Sequence, residues 1–205
     1  MAIESAKPDT VTGVFRLPWV GGDKRYESAL AFELPATLEA QVYDLRRSLD
    51  IRAPSEHQLP PHLTLLYLGR MWGSQLAALA ARLEALRNEK AGGRLEGLGF
   101  FDFSGRRTNV HVRIDPDPSL LELHERALDI GRQFDWFEPG RFVGADYVPH
   151  VSILDRISSD DCTPQVMCPE WAKAGSVRLA NLHMMAKRLD EAPYEDAPTD
   201  FGSNP

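Results

Sequence analysis

Apolar residues recur along the chain with two different spacings, which predicts a succession of strands and helices. Leu38, Val42 and Leu45 are spaced as on one face of a helix, and the same spacing returns in two later segments. These segments predict helices over residues 36–49, 75–90 and 118–134. Short apolar runs bounded by Pro or Gly predict strands over residues 28–34, 62–68, 94–103, 108–114, 147–154 and 176–187.

The two halves of this pattern resemble each other. Each half has a helix, a loop containing proline, and then an apolar strand that begins with Pro, His, an apolar residue and a hydroxyl residue. The two strand sequences are PPHLTLLYL at 60–68 and VPHVSIL at 148–154. Such a faint repeat is informative because the histidine and the hydroxyl recur at the same place in both copies.

Each of these strands offers an imidazole and a hydroxyl on one face. Residues two apart in a strand point to the same side, so His62 projects with Thr64, and His150 projects with Ser152. One match to His-x-Ser/Thr is close to what chance gives in a chain with six histidines. Two matches, each after proline and each opening an apolar strand, predict the two halves of one site.

These side chains suit the cleavage of a phosphodiester without a metal. One group must take a proton from the attacking oxygen and another must give a proton to the leaving oxygen. Histidine titrates near neutral pH, so two imidazoles can hold opposite protonation states. Fixed hydroxyl donors can meet the charge that develops on the phosphate oxygens. No cofactor is needed for this chemistry.

The two motifs resemble those of the two-histidine (2H) phosphoesterases, in particular the 2′-5′ RNA ligase-like and cyclic phosphodiesterase group. PHLTLLYLG is similar to the first motif of that family and VPHVSIL to the second. The resemblance implies an α+β fold with two pseudo-symmetric lobes of mainly antiparallel sheet, outer helices, and motif strands that meet in a central groove. It also implies a nucleotide or RNA-end substrate, such as a 2′,3′-cyclic phosphate, a 2′-5′ linkage or a cyclic oligonucleotide.

The same resemblance implies roles for individual residues. His62 and His150 would be the acid/base pair, and Thr64 and Ser152 the phosphate-binding hydroxyls. For a 2′,3′-cyclic phosphate we expect His150 to activate water and His62 to protonate the departing oxygen, although pseudo-symmetry permits the reverse. Arg156 is a further candidate for substrate binding, and an ordinary surface salt bridge explains it equally well.

The domain organisation is predicted from composition and pattern. We expect an N-terminal extension over residues 1–27, a bilobal domain over 28–189 and an acidic flexible tail over 190–205. The lobes would cover roughly 28–92 together with the final strand, and 93–175. The formal charge is −7, but five acids lie in the tail, and the remaining 25 acids against 23 bases leave −2 for residues 1–189. A nearly neutral body favours a small or terminal substrate over long nucleic acid.

Composition constrains the remaining properties only loosely. The apolar and charged fractions, 43% and 26%, are ordinary for a globular protein, and no apolar run is long enough to span a membrane. The first residues lack the apolar stretch of a secretory signal, so we expect a cytoplasmic monomer that does not bind membranes. Cys162 and Cys168 match no common zinc spacing and are expected to be free thiols.

The other four histidines are expected to be structural. His57 is expected to be a solvated loop residue, and His111 part of a polar sheet face. His124 is expected to be a solvated helix residue, and His183 a strand residue without an evident partner. Aromatic residues near the motifs could stack on a nucleobase, and the sequence singles out none of Tyr67, Phe100, Phe101, Trp136, Phe142 and Tyr147.

Two other functions remain open from the sequence. The chain could be a nucleotide- or RNA-end-binding module that has the groove without turnover, although such a binder does not need two titratable groups. It could also be a metal-binding regulatory domain that uses His57 and His62 with a carboxylate, although Pro60 and Pro61 force an irregular link between those histidines.

Overall fold

The computed structural model of this protein describes residues 24–48, 60–103, 107–140, 142–158 and 168–189. Six strands and three helices follow one another in these residues: β1 (Arg25–Glu33), α1 (Ala36–Ser48), β2 (His62–Trp72), α2 (Gly73–Leu83), β3 (Ala91–Phe103), β4 (Arg107–Pro116), α3 (Pro118–Gly131), β5 (His150–Ser158) and β6 (Ser176–Arg188). None of these helices is long and apolar enough to cross a bilayer. Strand β1 begins at Arg25, inside the predicted extension, and the predicted tail lies outside the described residues.

The six strands form one closed, antiparallel sheet in the order β1-β2-β5-β4-β3-β6. The prediction of an α+β fold with a mainly antiparallel sheet is therefore confirmed. Strands β6, β1 and β2 make up a first half, and β3, β4 and β5 make up a second half. The last strand of the chain returns to the first half, because β6 pairs with β1 while β3 pairs with β4.

The two halves meet at two junctions of different width. Residues 91–94 of β3 pair with residues 176–179 of β6, which gives a ladder of several residues. At the other junction, β2 and β5 are joined by the pair of Leu63 with Val151 among the described residues. The motif strands therefore touch over a very short stretch and separate on either side of it.

The helices bury the faces that the sequence pattern predicts. Helix α1 buries Leu38, Val42 and Leu45. Helix α3 begins after Asp117, whose side-chain Oδ1 accepts a hydrogen bond of 3.0 Å from the backbone N–H of Leu120. Such an N-cap satisfies one of the donors that the first helical turn leaves without a partner.

The second helix is shorter than predicted. It ends at Leu83 and continues only as a 3-10 turn over Glu84–Leu86, which keeps Leu86 in the core. The segment 91–93, which the sequence pattern predicts to end a helix, instead opens β3. Glycine is needed there because a Cβ at Gly93 would lie 2.6 Å from the carbonyl oxygen of Asp115 in the neighbouring strand.

Both motif strands carry a β-bulge immediately after the hydroxyl residue. In β2, Thr64 pairs with Ala31 and the next pair is formed by Leu66, so Leu65 is the inserted residue. In β5, the pairing passes over Ile153 in the same way. Leu65 and Ile153 are both fully buried. A bulge interrupts the regular ladder and re-aims the backbone groups beside it.

Side chains of the second half bind the carbonyl groups at the bulge of β2. The hydroxyl of Tyr147 donates to the carbonyl of Thr64 at 3.0 Å, and Nδ1 of His124 donates to the carbonyl of Leu65 at 2.7 Å. Burial raises the pKa of Tyr147, so its hydroxyl remains a donor at every physiological pH. The bulge of the first half is thus held by the second half.

The bulge of β5 is held by the first half in the corresponding manner. Arg46 of α1 donates from Nε to the carbonyl of Ile153 at 2.6 Å and from Nη2 to the carbonyl of Ser152 at 3.1 Å. One guanidinium therefore binds the two carbonyls that correspond to those of Thr64 and Leu65. A hydrogen bond with a charged donor is stronger than a neutral one.

The expectation that His124 is a solvated helix residue is wrong. Its side chain is 1% exposed and stacks on the ring of Tyr147 with 3.9 Å between ring centroids. The backbone N–H of Gly144 donates to Nε2 at 2.9 Å, while Nδ1 donates to Leu65. Burial lowers the pKa of His124, and the neutral form is the one that both bonds require.

Replacing Tyr147 with Phe removes one donor from the bulge of β2. We expect Y147F to lower the free energy of unfolding by about 1–2 kcal/mol, because the carbonyl of Thr64 loses a partly buried hydrogen bond. Urea denaturation measures the change.

The matched control is Tyr67→Phe, because the Tyr67 hydroxyl donates to Glu27 in an exposed position. This control is expected to change the free energy of unfolding by less than about 0.5 kcal/mol. Equal losses in the two variants would show that the bond to Thr64 contributes nothing particular to the fold.

Candidate active site

The pairing of Leu63 with Val151 brings the two motifs side by side. In an antiparallel pair, the residues on either side of such a contact also face each other. Ser152 therefore lies beside His62, and His150 lies beside Thr64. All four side chains are on the face opposite to the buried Leu63 and Val151, so they form a square with an imidazole and a hydroxyl on each strand.

The burial pattern confirms the predicted alternation in both motifs. His62, Thr64, His150 and Ser152 are half-buried, and the residues between and after them are fully buried. The apolar residues anchor each strand in the core, and the polar residues lie on the opposite, partly exposed face, which we call the motif groove.

Both motif histidines have the same tautomer for the same reason. Nδ1 of His62 lies 2.8 Å from the carbonyl oxygen of Pro60, and Nδ1 of His150 lies 2.8 Å from that of Val148. A carbonyl can only accept, so Nδ1 carries a proton in both rings. In each neutral ring Nε2 is therefore the proton-accepting nitrogen.

Burial lowers the pKa of His62 below its ordinary value of 6.5, and the neighbouring positive charges of His183, His150 and Arg46 act in the same direction. The hydrogen bond to Pro60 opposes this shift without cancelling it. His62 is therefore neutral at neutral pH, which is the state that a general base requires.

A chain of hydrogen bonds reaches Ser152 from β4. Nδ2 of Asn109 donates to Oγ of Ser152 at 3.0 Å, and Oδ1 of Asn109 lies 3.1 Å from Nδ1 of His111. Asn109 and His111 are 5% and 2% exposed. Burial lowers the pKa of His111 to about 3, with a further contribution from the nearby charges of His150 and Arg113, so this ring stays neutral.

Aromatic rings cover one side of the groove. Phe101 stacks on His111 with 4.2 Å between centroids and meets the ring of His150 edge-on at 4.9 Å. Phe142 lies 5.4 Å from Phe101 and is 45% exposed. The sequence suggests aromatic stacking without choosing among six residues. The structure places Phe101 against the motif histidine His150, and Phe142 against Phe101.

The structure also shows residues that sequence reasoning misses. Nothing in the sequence marks Arg46 as the residue that binds the carbonyls of Ser152 and Ile153. The sequence also predicts no evident partner for His183. Nδ1 of His183 lies 3.2 Å from the carbonyl oxygen of Asn181. The sequence signal for Asn109 and His111 is their spacing of two in a strand, which puts them on one face, but only the register of β4 against β5 connects them to Ser152.

Two predicted residues fall outside what the structure describes. Arg156 belongs to β5, but its side chain is not among the described ones, and the register shifts between Ser152 and Ile157 interrupt the alternation on which its predicted orientation rests. His57 also lies outside the described residues. Within the part of the chain that is described, no three side chains of His, Cys, Asp or Glu are grouped closely enough to hold a metal ion.

One cavity in the described structure lies away from the motifs. It has a volume of about 700 Å³ and lies at the junction of β3 with β6, where Lys90, Arg94 and Arg178 line it. None of the four motif side chains contributes to its wall. The chemistry of the four motif side chains therefore identifies the candidate site, not its place in this cavity.

Comparisons with known proteins agree with this fold. A family model described as the 2′-5′ RNA ligase superfamily matches residues 34–191. A crystal structure of Escherichia coli LigT complexed with 3′-AMP is similar with a TM-score of 0.53 and 19% identity, covering 81% of this chain and 96% of that one. For LigT complexed with ATP the TM-score is 0.50 and the identity 18%, covering 82% of this chain and 96% of that one. A structure described only as a phosphoesterase has a TM-score of 0.52 and 16% identity, covering 81% of this chain and 96% of that one. A comparison with curated protein sequences found no match.

The low pKa of His111 predicts a specific dependence of stability on pH. Below about pH 6.5 the unfolded chain binds a proton at this residue that the folded chain does not bind, so the free energy of unfolding falls as the pH falls towards 3. Between pH 7 and pH 5, wild type should lose about 2 kcal/mol more than His111→Gln. Denaturation at both pH values measures the difference, and equal losses would contradict a neutral His111.

Proposed function

The chain belongs to the 2′-5′ RNA ligase superfamily, and we propose that it is a metal-independent phosphodiesterase that acts on a nucleotide or an RNA end. Its substrate would be a 2′,3′-cyclic phosphate, a 2′-5′ linkage or a cyclic oligonucleotide. The observation that carries this proposal is the square of two imidazoles and two hydroxyls around the pair of Leu63 with Val151. Such a square supplies a base, an acid and two phosphate-binding donors in one groove.

The pKa of His62 favours an assignment of roles opposite to the one expected from the sequence. A ring that burial keeps neutral is suited to accept a proton, so we assign His62 as the general base and His150 as the general acid. Thr64 and Ser152 would donate hydrogen bonds to the non-bridging phosphate oxygens.

With these roles, a 2′,3′-cyclic phosphate is hydrolysed by a single displacement at phosphorus. Nε2 of His62 takes a proton from water while the water oxygen bonds to phosphorus. The bond from phosphorus to one ribose oxygen breaks, and His150 gives that oxygen the proton from its Nε2. The product is a nucleoside monophosphate, and a second proton transfer through solvent restores both histidines.

The class of substrate is supported by the surroundings of the square. Phe101 contacts His150, and the exposed ring of Phe142 lies 5.4 Å from Phe101, so both rings are candidates to stack on a nucleobase. The net charge of −2 over residues 1–189 supports a small or terminal substrate rather than a long nucleic acid. The similar LigT structures are titled as complexes with 3′-AMP and with ATP.

We further propose that the enzyme is a monomer that works in the cytoplasm, with a catalytic domain that includes all of β1 and so spans residues 25–189. Cys168 is a free thiol, which is the usual state in a reducing compartment. Arg156 remains a proposed contact to the substrate, on its position six residues after His150.

Turnover in the presence of EDTA tests the proposed chemistry. We expect wild type to hydrolyse at least one member of a panel of 2′,3′-cyclic nucleotides, 2′-5′ oligoadenylate and cyclic dinucleotides. His62→Ala and His150→Ala should each lower kcat by about 100-fold or more, because each removes one proton transfer. His57→Ala is the matched histidine control and should leave kcat unchanged.

The pH–rate profile of the same proteins tests the division of roles. Wild type should lose activity at low pH, where His62 becomes protonated, and at high pH, where His150 loses its proton. The residual activity of His62→Ala should lack the low-pH loss, and that of His150→Ala should lack the high-pH loss. The opposite pattern would exchange the roles. Binding without turnover would instead indicate a binding module. Loss of wild-type activity with EDTA, together with loss of H57A activity without it, would indicate a metal site that uses His57.

A further inference from the structure

We propose that Asn109 is a positioning residue that turns the hydroxyl proton of Ser152 towards the substrate phosphate, and that His111 fixes the orientation of Asn109. This inference rests on the proposed function. The proposed role of Asn109 applies to Ser152 and not to Thr64, although the two hydroxyls occupy equivalent positions in the sequence repeat.

The direction of each hydrogen bond determines where the Ser152 proton points. The amide nitrogen Nδ2 of Asn109 can only donate, so Oγ of Ser152 accepts the bond of 3.0 Å between them. Because Oγ is the acceptor in that bond, its own proton is directed elsewhere. With Asn109 on the β4 side, the phosphate in the groove is the acceptor that the proton can meet.

His111 makes this orientation of the amide the stable one. The His111 ring hydrogen-bonds the backbone of Asn109, where the carbonyl can only accept, and Oδ1 of Asn109 lies 3.1 Å from Nδ1 of the same ring. We therefore place a proton on Nδ1. If the amide were reversed, Nδ2 would face the Nδ1–H, donor against donor, and Ser152 would have to donate to Oδ1. The amide is therefore held with its oxygen towards His111 and its nitrogen towards Ser152.

The ring of His111 is itself held in place by packing. Phe101 stacks on one side of it with 4.2 Å between centroids and an angle of 26° between the planes. On the neighbouring strand, Gly99 leaves the space that the ring occupies, because a Cβ at Gly99 would lie 2.5 Å from Nε2 of His111. The bonds from His111 to Asn109 and from Asn109 to Ser152 thus begin at a ring with little freedom to rotate.

The first half of the molecule has no such chain from the corresponding strand, β1, all of whose residues are described. Ala31 pairs with Thr64 in β1 as His111 pairs with Ser152 in β4. Two residues earlier, Ala29 takes the position that corresponds to Asn109. Methyl side chains cannot hydrogen-bond, so these two residues cannot orient the hydroxyl of Thr64 in this way. A change at Asn109 should therefore act on Ser152 and not on Thr64.

Double-mutant cycles separate this role from a merely structural one. We expect Asn109→Ala to lower kcat about tenfold in wild type, with KM changed by less than about threefold, because a donor to the transition state is lost. In a Ser152→Ala background the same change should lower kcat by less than about twofold, because there is no hydroxyl left to orient. In a Thr64→Ala background, which is the matched control, the tenfold loss should persist.

A second substitution protects the test against a folding defect. Asn109→Asp is nearly isosteric, but a carboxylate accepts and cannot donate. The hydroxyl of Ser152 would then give its proton to the introduced carboxylate, in the direction opposite to the one proposed. N109D should therefore lose at least as much kcat as N109A, again only where Ser152 is present. Equal losses in the Ser152→Ala and Thr64→Ala backgrounds would overturn the positioning role.

Binding of inorganic phosphate gives a readout that does not depend on turnover. By titration calorimetry, N109A should weaken phosphate binding several-fold in wild type and in the Thr64→Ala background, and by less than about twofold with Ser152→Ala. If wild type turns over substrate or binds phosphate, but the effects of Asn109→Ala and Ser152→Ala on these quantities simply add, this inference alone is overturned. A wild type that neither turns over the substrate panel nor binds phosphate would overturn the proposed function and this inference with it.

Discussion

The candidate site depends on hydrogen bonds that each half of the molecule donates to the bulge of the other. Strands β2 and β5 are joined by the pair of Leu63 with Val151, which is too short a ladder to align two strands firmly. Arg46 binds both carbonyls at one bulge, and Tyr147 and His124 bind the corresponding carbonyls at the other. The groove can therefore open beside the motifs while their backbones remain fixed.

The same symmetry produces two motifs that are alike in geometry but have different neighbours. Each motif histidine donates from Nδ1 to the carbonyl of the residue two before it, so both rings have the same tautomer. Burial and nearby positive charge keep His62 neutral, and a second, uncharged ring lies 5.0 Å from His150 in the form of His111. In the proposed reaction one imidazole accepts a proton while the other donates one, so the two rings must differ in protonation state.

The sequence predicts what local patterns determine and misses what strand pairing determines. The alternation in both motifs, the three helices and the order of elements follow from hydrophobic spacing. The structure confirms them apart from the ends of the second helix, of the third helix and of several strands. The bulges after Thr64 and Ser152 could not be predicted, because a bulge depends on the partner strand. Burial of His124 and the link from His111 to Ser152 are likewise contacts between distant segments, which a single sequence does not reveal.

The most direct test of the central claim, that both motifs converge on one phosphate, is a crystal structure of the protein with a nucleoside 2′- or 3′-monophosphate. We expect the phosphate to lie in the groove, within hydrogen-bond distance of the hydroxyls of Thr64 and Ser152 and of Nε2 of both His62 and His150. A phosphate bound instead in the cavity at the β3–β6 junction, with the motif groove empty, would contradict the account.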